Sequence, residues 1–140
     1  MKWFIKVLKQ YADFSGRARR KEFWMFALFF MIFAYGTIVL DMKLGTTFKP
    51  TSEYYFGHFR GNYVGGGAIS FIYCMALIVP YVAVGVRRLH DIGKSGWYYF
   101  AALVPVIGWI ILLVWFCKDG QVGENEYGLN PKAIDYAAAK

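Results

Sequence analysis

Three stretches of this chain hold no Asp, Glu, Lys, Arg or His: residues 23–40, 68–86 and 97–117, of 18, 19 and 21 residues. A helix rises about 1.5 Å per residue, so each run would extend roughly 27–32 Å, the thickness of a bilayer's hydrocarbon core. Hydrocarbon offers no partner for peptide N–H and C=O groups, and a helix satisfies them within its own segment. A chain of 140 residues has too little polar helix to cover three such runs in water, which excludes an ordinary soluble domain. The sequence predicts an all-α membrane protein of one membrane domain. Its three transmembrane helices are joined by an external loop over 41–67 and a basic loop over 87–96. An irregular Gly- and Asn-rich tail over 118–131 and a short extension over 132–140 follow.

The net charge of +7 would fit a nucleic-acid partner if it were spread over a surface, but seven of the sixteen Lys and Arg lie in the first 21 residues. That is the flank of a membrane segment, and no nucleic acid is expected. With three crossings, the N-terminal segment and the 87–96 loop share a face and carry ten basic residues against six on the other. The positive-inside rule then places the N-terminus in the cytoplasm and the C-terminus outside. The 23–40 run is too long for the apolar part of a secretory signal, and Asp41-Met42-Lys43-Leu44-Gly45 offers no small-x-small cleavage site, so the run is expected to stay as an anchor.

Ahead of the first run, a helical wheel over residues 2–14 puts Trp3, Phe4, Val7, Leu8, Tyr11 and Phe14 on one face. Lys2, Lys6, Lys9, Gln10 and Asp13 fill the other. Residues 1–15 therefore read as an amphipathic interfacial helix with lysines toward lipid phosphates, packing on the protein's own helices being the alternative. Ser15 and Gly16 end it, Gly16 allowing the positive φ common past a helix end.

Two basic clusters flank the runs. Arg17, Arg19 and Arg20 precede the first, and Arg87 and Arg88 follow the second. These five guanidinium groups are the candidate contacts for anionic lipid headgroups or an acidic partner protein. Arg87, Arg88, His90 and Asp91 also read as a structural charge cluster. Arg87 and Asp91 stand at i and i+4, and Arg88 and Asp91 at i and i+3, so Asp91 can be neutralised at the membrane edge. Gly93 and Gly96 permit the reversal after it, with Ser95 as the N-cap of the next helix. Pro80 and Pro105 each remove a helical hydrogen bond and are expected to kink their helices.

Enzymatic chemistry finds no constellation here. His90, Asp91 and Ser95 are the residue types of a hydrolase triad, but they crowd one turn without a nucleophile elbow or an oxyanion hole. Gly93-Lys94-Ser95 imitates the end of a phosphate-binding loop, yet Arg88 stands where that loop needs glycine, so no nucleotide is expected. His58 and His90 are the only histidines and fall on opposite faces of the predicted topology, and no metal or cofactor is expected. The predicted spans lack an ionisable group of the kind proton and ion pathways use. Cys74 and Cys117 differ in predicted depth by roughly ten ångströms, too far for a disulfide, and read as small apolar residues.

Four motifs stand in order along the chain: Gly16-Arg17-Ala18-Arg19-Arg20-Lys21-Glu22-Phe23-Trp24, Arg87-Arg88-Leu89-His90-Asp91-Ile92-Gly93-Lys94-Ser95-Gly96-Trp97, Pro105-Val106-Ile107-Gly108, and Gly123-Glu124-Asn125-Glu126-Tyr127-Gly128-Leu129-Asn130-Pro131. Together they resemble domain-of-unknown-function family 805, the YhaH-like bacterial inner-membrane proteins. That resemblance implies a small multi-pass protein of the bacterial inner membrane with no established activity. The reading that follows is a non-enzymatic membrane component whose basic cytoplasmic face engages anionic lipid or a protein partner, a second copy of the chain included. A small permease, or a subunit of a transport complex, built around Pro80 and Pro105 is the alternative.

Overall fold

The first two charge-free runs form helices that overshoot their apolar limits at both ends or at one. In the computed structural model, residues 2–48, 53–56, 59–62 and 66–133 are described. A short helix, α1 (Lys2–Lys9), precedes the long α2 (Arg20–Leu44). Two four-residue strands, β1 (Glu53–Phe56) and β2 (Phe59–Asn62), pair antiparallel with Glu53 opposite Asn62 and Phe56 opposite Phe59. They add a small ribbon to the connection expected as a loop. The second long helix, α3 (Ala68–Asp91), runs through the buried Pro80. A 3-10 helix (Gly96–Leu103) and α4 (Ile107–Cys117) complete the order. The short extension lies outside the described residues beyond residue 133, as does His58.

Long apolar helices occur in soluble cores too, and coverage separates the two cases. Only 17% of the apolar window of α2 and 28% of that of α3 are buried within the protein. A soluble core helix would be mostly covered. Side chains such as Met31, Ile32, Tyr35, Phe71 and Ile72 instead stand exposed along these helices, and lipid is the medium that makes this tolerable.

The third run departs from expectation: residues 97–117 are not one helix. Val104 is extended, at φ −90° and ψ 105°, as the residue before a proline tends to be. Pro105 has no N–H to continue a ladder. Val106 then takes φ 63° and ψ −66°, a γ-turn closed by Ile107 N–H donating to the Pro105 carbonyl at 2.8 Å. The chain doubles back, and α4 passes so close to the 3-10 helix that a Cβ on Gly108 would overlap the Ala101 carbonyl. The Trp109 indole N–H donates to the Ala102 carbonyl at 2.9 Å across the same seam. Gly108→Val should force the two limbs apart at a cost of about 2 kcal/mol or more, read as a lower melting temperature in detergent. An unchanged melt would mean that the limbs are not in backbone contact.

Contacts cluster into two compact units, residues 1–28 with 79–140 and residues 29–78. In the first, Val7, Ala18, Phe23, Phe26, Val84, Leu89, Leu112 and Phe116 form the core. Phe4 stacks on Phe26 at 5.2 Å between centroids, and Phe23 meets Phe116 at 4.3 Å. The apolar face of α1 is thus taken up by the protein itself. Val7 is fully buried, and the helix is not free to lie flat on lipid by that face as an interfacial helix would. Beyond α1, Asp13 accepts from the Ser15 hydroxyl and N–H, which hold its carboxyl below the usual carboxylate range. Gly16 follows at φ 75°.

In the second unit, Asp41 near the end of α2 is fully buried against the start of α3. Its carboxylate accepts from the backbone N–H groups of Gly67 at 3.1 Å, Ile69 at 3.0 Å and Ser70 at 2.8 Å, and from the hydroxyls of Ser70 and Thr46. First-turn N–H groups have no partner within their own helix, and the helix N-terminus is the positive end of its dipole. A carboxylate from the preceding helix answers both needs.

Candidate functional site

The last turn of α3 carries the Arg87-Arg88-Leu89-His90-Asp91 motif, and in the structure the other polar motifs come to it. Asp91 lies between two buried guanidinium groups. Arg17 Nε reaches Asp91 Oδ1 at 3.1 Å, and Arg88 Nη1 reaches Asp91 Oδ2 at 2.7 Å. Each arginine then spends its remaining N–H groups on backbone carbonyls. Arg17 donates to Gly123 at 2.7 Å, Gly128 at 3.2 Å and Gln121 at 2.6 Å, residues 104 to 111 positions further along the chain. Arg88 donates to Phe116 at 3.2 Å and to the Lys118 carbonyl. Planar forks suit this geometry, because one guanidinium can serve a carboxylate and several carbonyls at once.

The tail is shaped to present those carbonyls. The Asn125 side chain donates to the His90 carbonyl at 3.0 Å and to Gln121 Oε1 at 2.9 Å, while its own oxygen accepts from the Tyr127 N–H at 3.0 Å. Tyr127 stacks flat on His90, centroids 3.9 Å apart and planes within 4°. The other face of the motif is held by the N-terminal segment, since His90 Nδ1 lies 3.2 Å from the Gly16 carbonyl and Ala18 N–H donates to the Arg87 carbonyl at 3.0 Å. Residues 118–131 lie beside the N-terminal segment and the end of α3.

Arg87 does not turn to Asp91, four residues on. Its Nη1 lies 3.3 Å from Glu22 Oε1 and donates to Gln10, and Lys6 Nζ meets Glu22 Oε2 at 2.7 Å. Arg87 Nε and Nη2 have no hydrogen-bond partner among the described residues. Of the five arginines read as headgroup contacts, Arg17, Arg87 and Arg88 are therefore buried and engaged within the protein. Arg19 lies over the Trp3 ring at 5.6 Å, and the half-exposed Arg20 pairs with Asp119 at 2.5 Å.

Arg19 and Arg20, together with Lys21 and Lys132, line a cavity of about 270 Å³ to which Asp91 and Asn130 also contribute. Lys21 and Asn130 stand within the first and last motifs but are not among the candidate site residues of the sequence, and Lys132 lies just outside the last. Lys132 stands 111 residues from Lys21, and only the folding of the tail onto Arg17 brings them together. Cys74 and Cys117 are free thiols. Among the described residues, no group of His, Cys, Asp and Glu is arranged to hold a metal ion.

The family described as "Protein of unknown function (DUF805)" matches residues 11–129 of this chain. Inner membrane protein YhaH of Escherichia coli (strain K12) is 42% identical over 132 residues, covering 94% of this chain and 98% of that protein. Inner membrane protein YhaI of the same strain is 39% identical over 132 residues, covering 94% and 97%. No solved structure matches.

Proposed function

The chain belongs to the DUF805 family, and from that premise we propose a non-enzymatic inner-membrane component whose basic cytoplasmic face binds the phosphates of anionic lipids. The observation that carries this reading is the cavity rimmed by Arg19, Arg20, Lys21 and Lys132. Four cations converge there beside the start of α2, where the chain enters its apolar stretch and lipid phosphates lie. Arg17 and Arg88 hold the scaffold, while the rim meets the ligand. Asp119, which pairs with Arg20 and stands 3.7 Å from Lys132, keeps these side chains in place without neutralising all of them.

Protein purified in a neutral detergent should melt several degrees higher with added phosphatidylglycerol than with phosphatidylcholine, because a ligand that binds only the folded state stabilises it. The triple variant Arg19→Gln/Lys21→Gln/Lys132→Gln should lose at least about half of that difference while melting normally without lipid. An undiminished difference would sink the lipid reading. Crosslinking in the native membrane that captured an acidic protein at these positions would assign the rim to a partner protein instead.

One observation favours a permease as the second reading. Irregular backbone at Val104–Val106 interrupts an apolar run, as in the broken helices of transporters. Solute flux in proteoliposomes is its test, and no flux across broad solute classes would dispose of it.

A further inference from the structure

We propose that residues 96–117 form a re-entrant hairpin that enters and leaves the membrane by one face, its turn at 104–106 surrounded by the acyl chains of a single leaflet. Both ends of the run are tied to the last turn of α3. At the start, Lys94 N–H donates to the Leu89 carbonyl at 3.0 Å, and Gly96 opens the 3-10 helix two residues later. At the finish, the carbonyls of Phe116 and Lys118 accept from Arg88. Lys94 also sits over two rings, Tyr98 at the start at 5.0 Å and Trp115 at the finish at 4.6 Å. A lysine among aromatic rings is a headgroup-level arrangement, and here one lysine marks both ends.

The two limbs agree in length. Eight residues of 3-10 helix at about 2.0 Å each extend roughly 16 Å. Eleven residues of α-helix at about 1.5 Å each also extend roughly 16 Å. Each limb thus reaches about halfway through a 30 Å hydrocarbon core. The surface is suited to that depth. Residues three apart eclipse in a 3-10 helix, which aligns Trp97, Phe100 and Leu103 along one edge, with Trp97 78% and Leu103 76% exposed. Val106 and Ile107 at the turn are 61% and 65% exposed. In water, this uncharged edge would be a severe liability. The turn's amides at Val104, Ile107 and Gly108 donate within the hairpin and Pro105 has none to satisfy, which leaves only the Val106 N–H of this turn without a backbone acceptor among the described residues.

Two crossings, α2 and α3, then leave both termini on one face. The tail's basic residues then add to those of the N-terminal segment and the 87–96 loop, leaving only the three of the 41–67 stretch to the other face. The charge bias becomes steeper than three crossings would make it.

The test is labelling of Lys9→Cys and Val122→Cys, each in a Cys74→Ala/Cys117→Ala background, with a membrane-impermeant maleimide before and after lysis of spheroplasts. Both positions should respond alike, each gaining at least roughly fivefold on lysis if the shared face is cytoplasmic, as the charge bias requires. One position labelled in intact spheroplasts and the other only after lysis would overturn the hairpin. Should the cysteine-free background fail to fold, protease protection of tags at the two ends of the otherwise unaltered chain distinguishes the same two topologies: equal protection or equal cleavage supports the hairpin, and opposite behaviour overturns it.

Discussion

Replacing Asp91 by Ala is expected to lower stability by about 3–5 kcal/mol, the usual cost of leaving buried charges without their partner. Arg17 and Arg88 both remain buried in that variant, and each loses the carboxylate oxygen it now holds. In a detergent melt followed by tryptophan fluorescence, the midpoint should fall by roughly 10–15 °C for a chain of this size. Adding Arg88→Met to Asp91→Ala should recover part of the loss, because it removes one of the two stranded charges and substitutes apolar volume. A midpoint for Asp91→Ala within about 2 °C of the parent would show that the knot is not a stabilising element. The tail should respond as well. Its carbonyls at Gln121, Gly123 and Gly128 are held by Arg17, so residues 121–128 should become more sensitive to protease in the Asp91 variant.

Asp41→Ala is the second large effect, expected to lower the midpoint by roughly 10 °C. The change strands the N–H groups of Gly67, Ile69 and Ser70 at the start of α3, two of them in buried bonds, and removes the negative charge at the positive end of that helix. Asp41→Asn keeps the shape and one acceptor oxygen, and should fall between Ala and the parent. Hydrogen exchange at amides 67, 69 and 70 reports the local loss directly. Protection there that survived Asp41→Ala would mean that water or another group caps α3 equally well.

Asp41 also shows where a sequence stops being legible. It stands one residue past an 18-residue apolar run, and there it reads as the first polar residue of a loop. Its partners at the start of α3 are 26 to 29 residues away, beyond a connection whose length is no guide to where its ends meet. Arg88 and Asp91 were nearer to readable, since an i, i+3 pair on one helix follows from helical geometry alone. Arg87 shows the limit of the same argument. The i, i+4 rule offered it Asp91, but Glu22 was closer once α2 packed beside the end of α3. The tail's Asn125, Tyr127 and Gly128 form a recognisable motif, yet spacing alone says nothing of a role in seating Arg17.

What the sequence by itself determined is the solvent. Apolar composition adds up residue by residue, so charge-free runs of this length specify hydrocarbon around α2 and α3. Tertiary structure alone decided the rest: that the third run doubles back at Pro105, that α1 packs inward through Val7, and that three of five candidate arginines hold the scaffold. A straight helix and a hairpin of one composition are equally apolar, and a buried guanidinium goes to whichever acceptors the folded chain brings within hydrogen-bonding reach. Both outcomes turn on contacts between residues far apart in the chain, which no local pattern encodes.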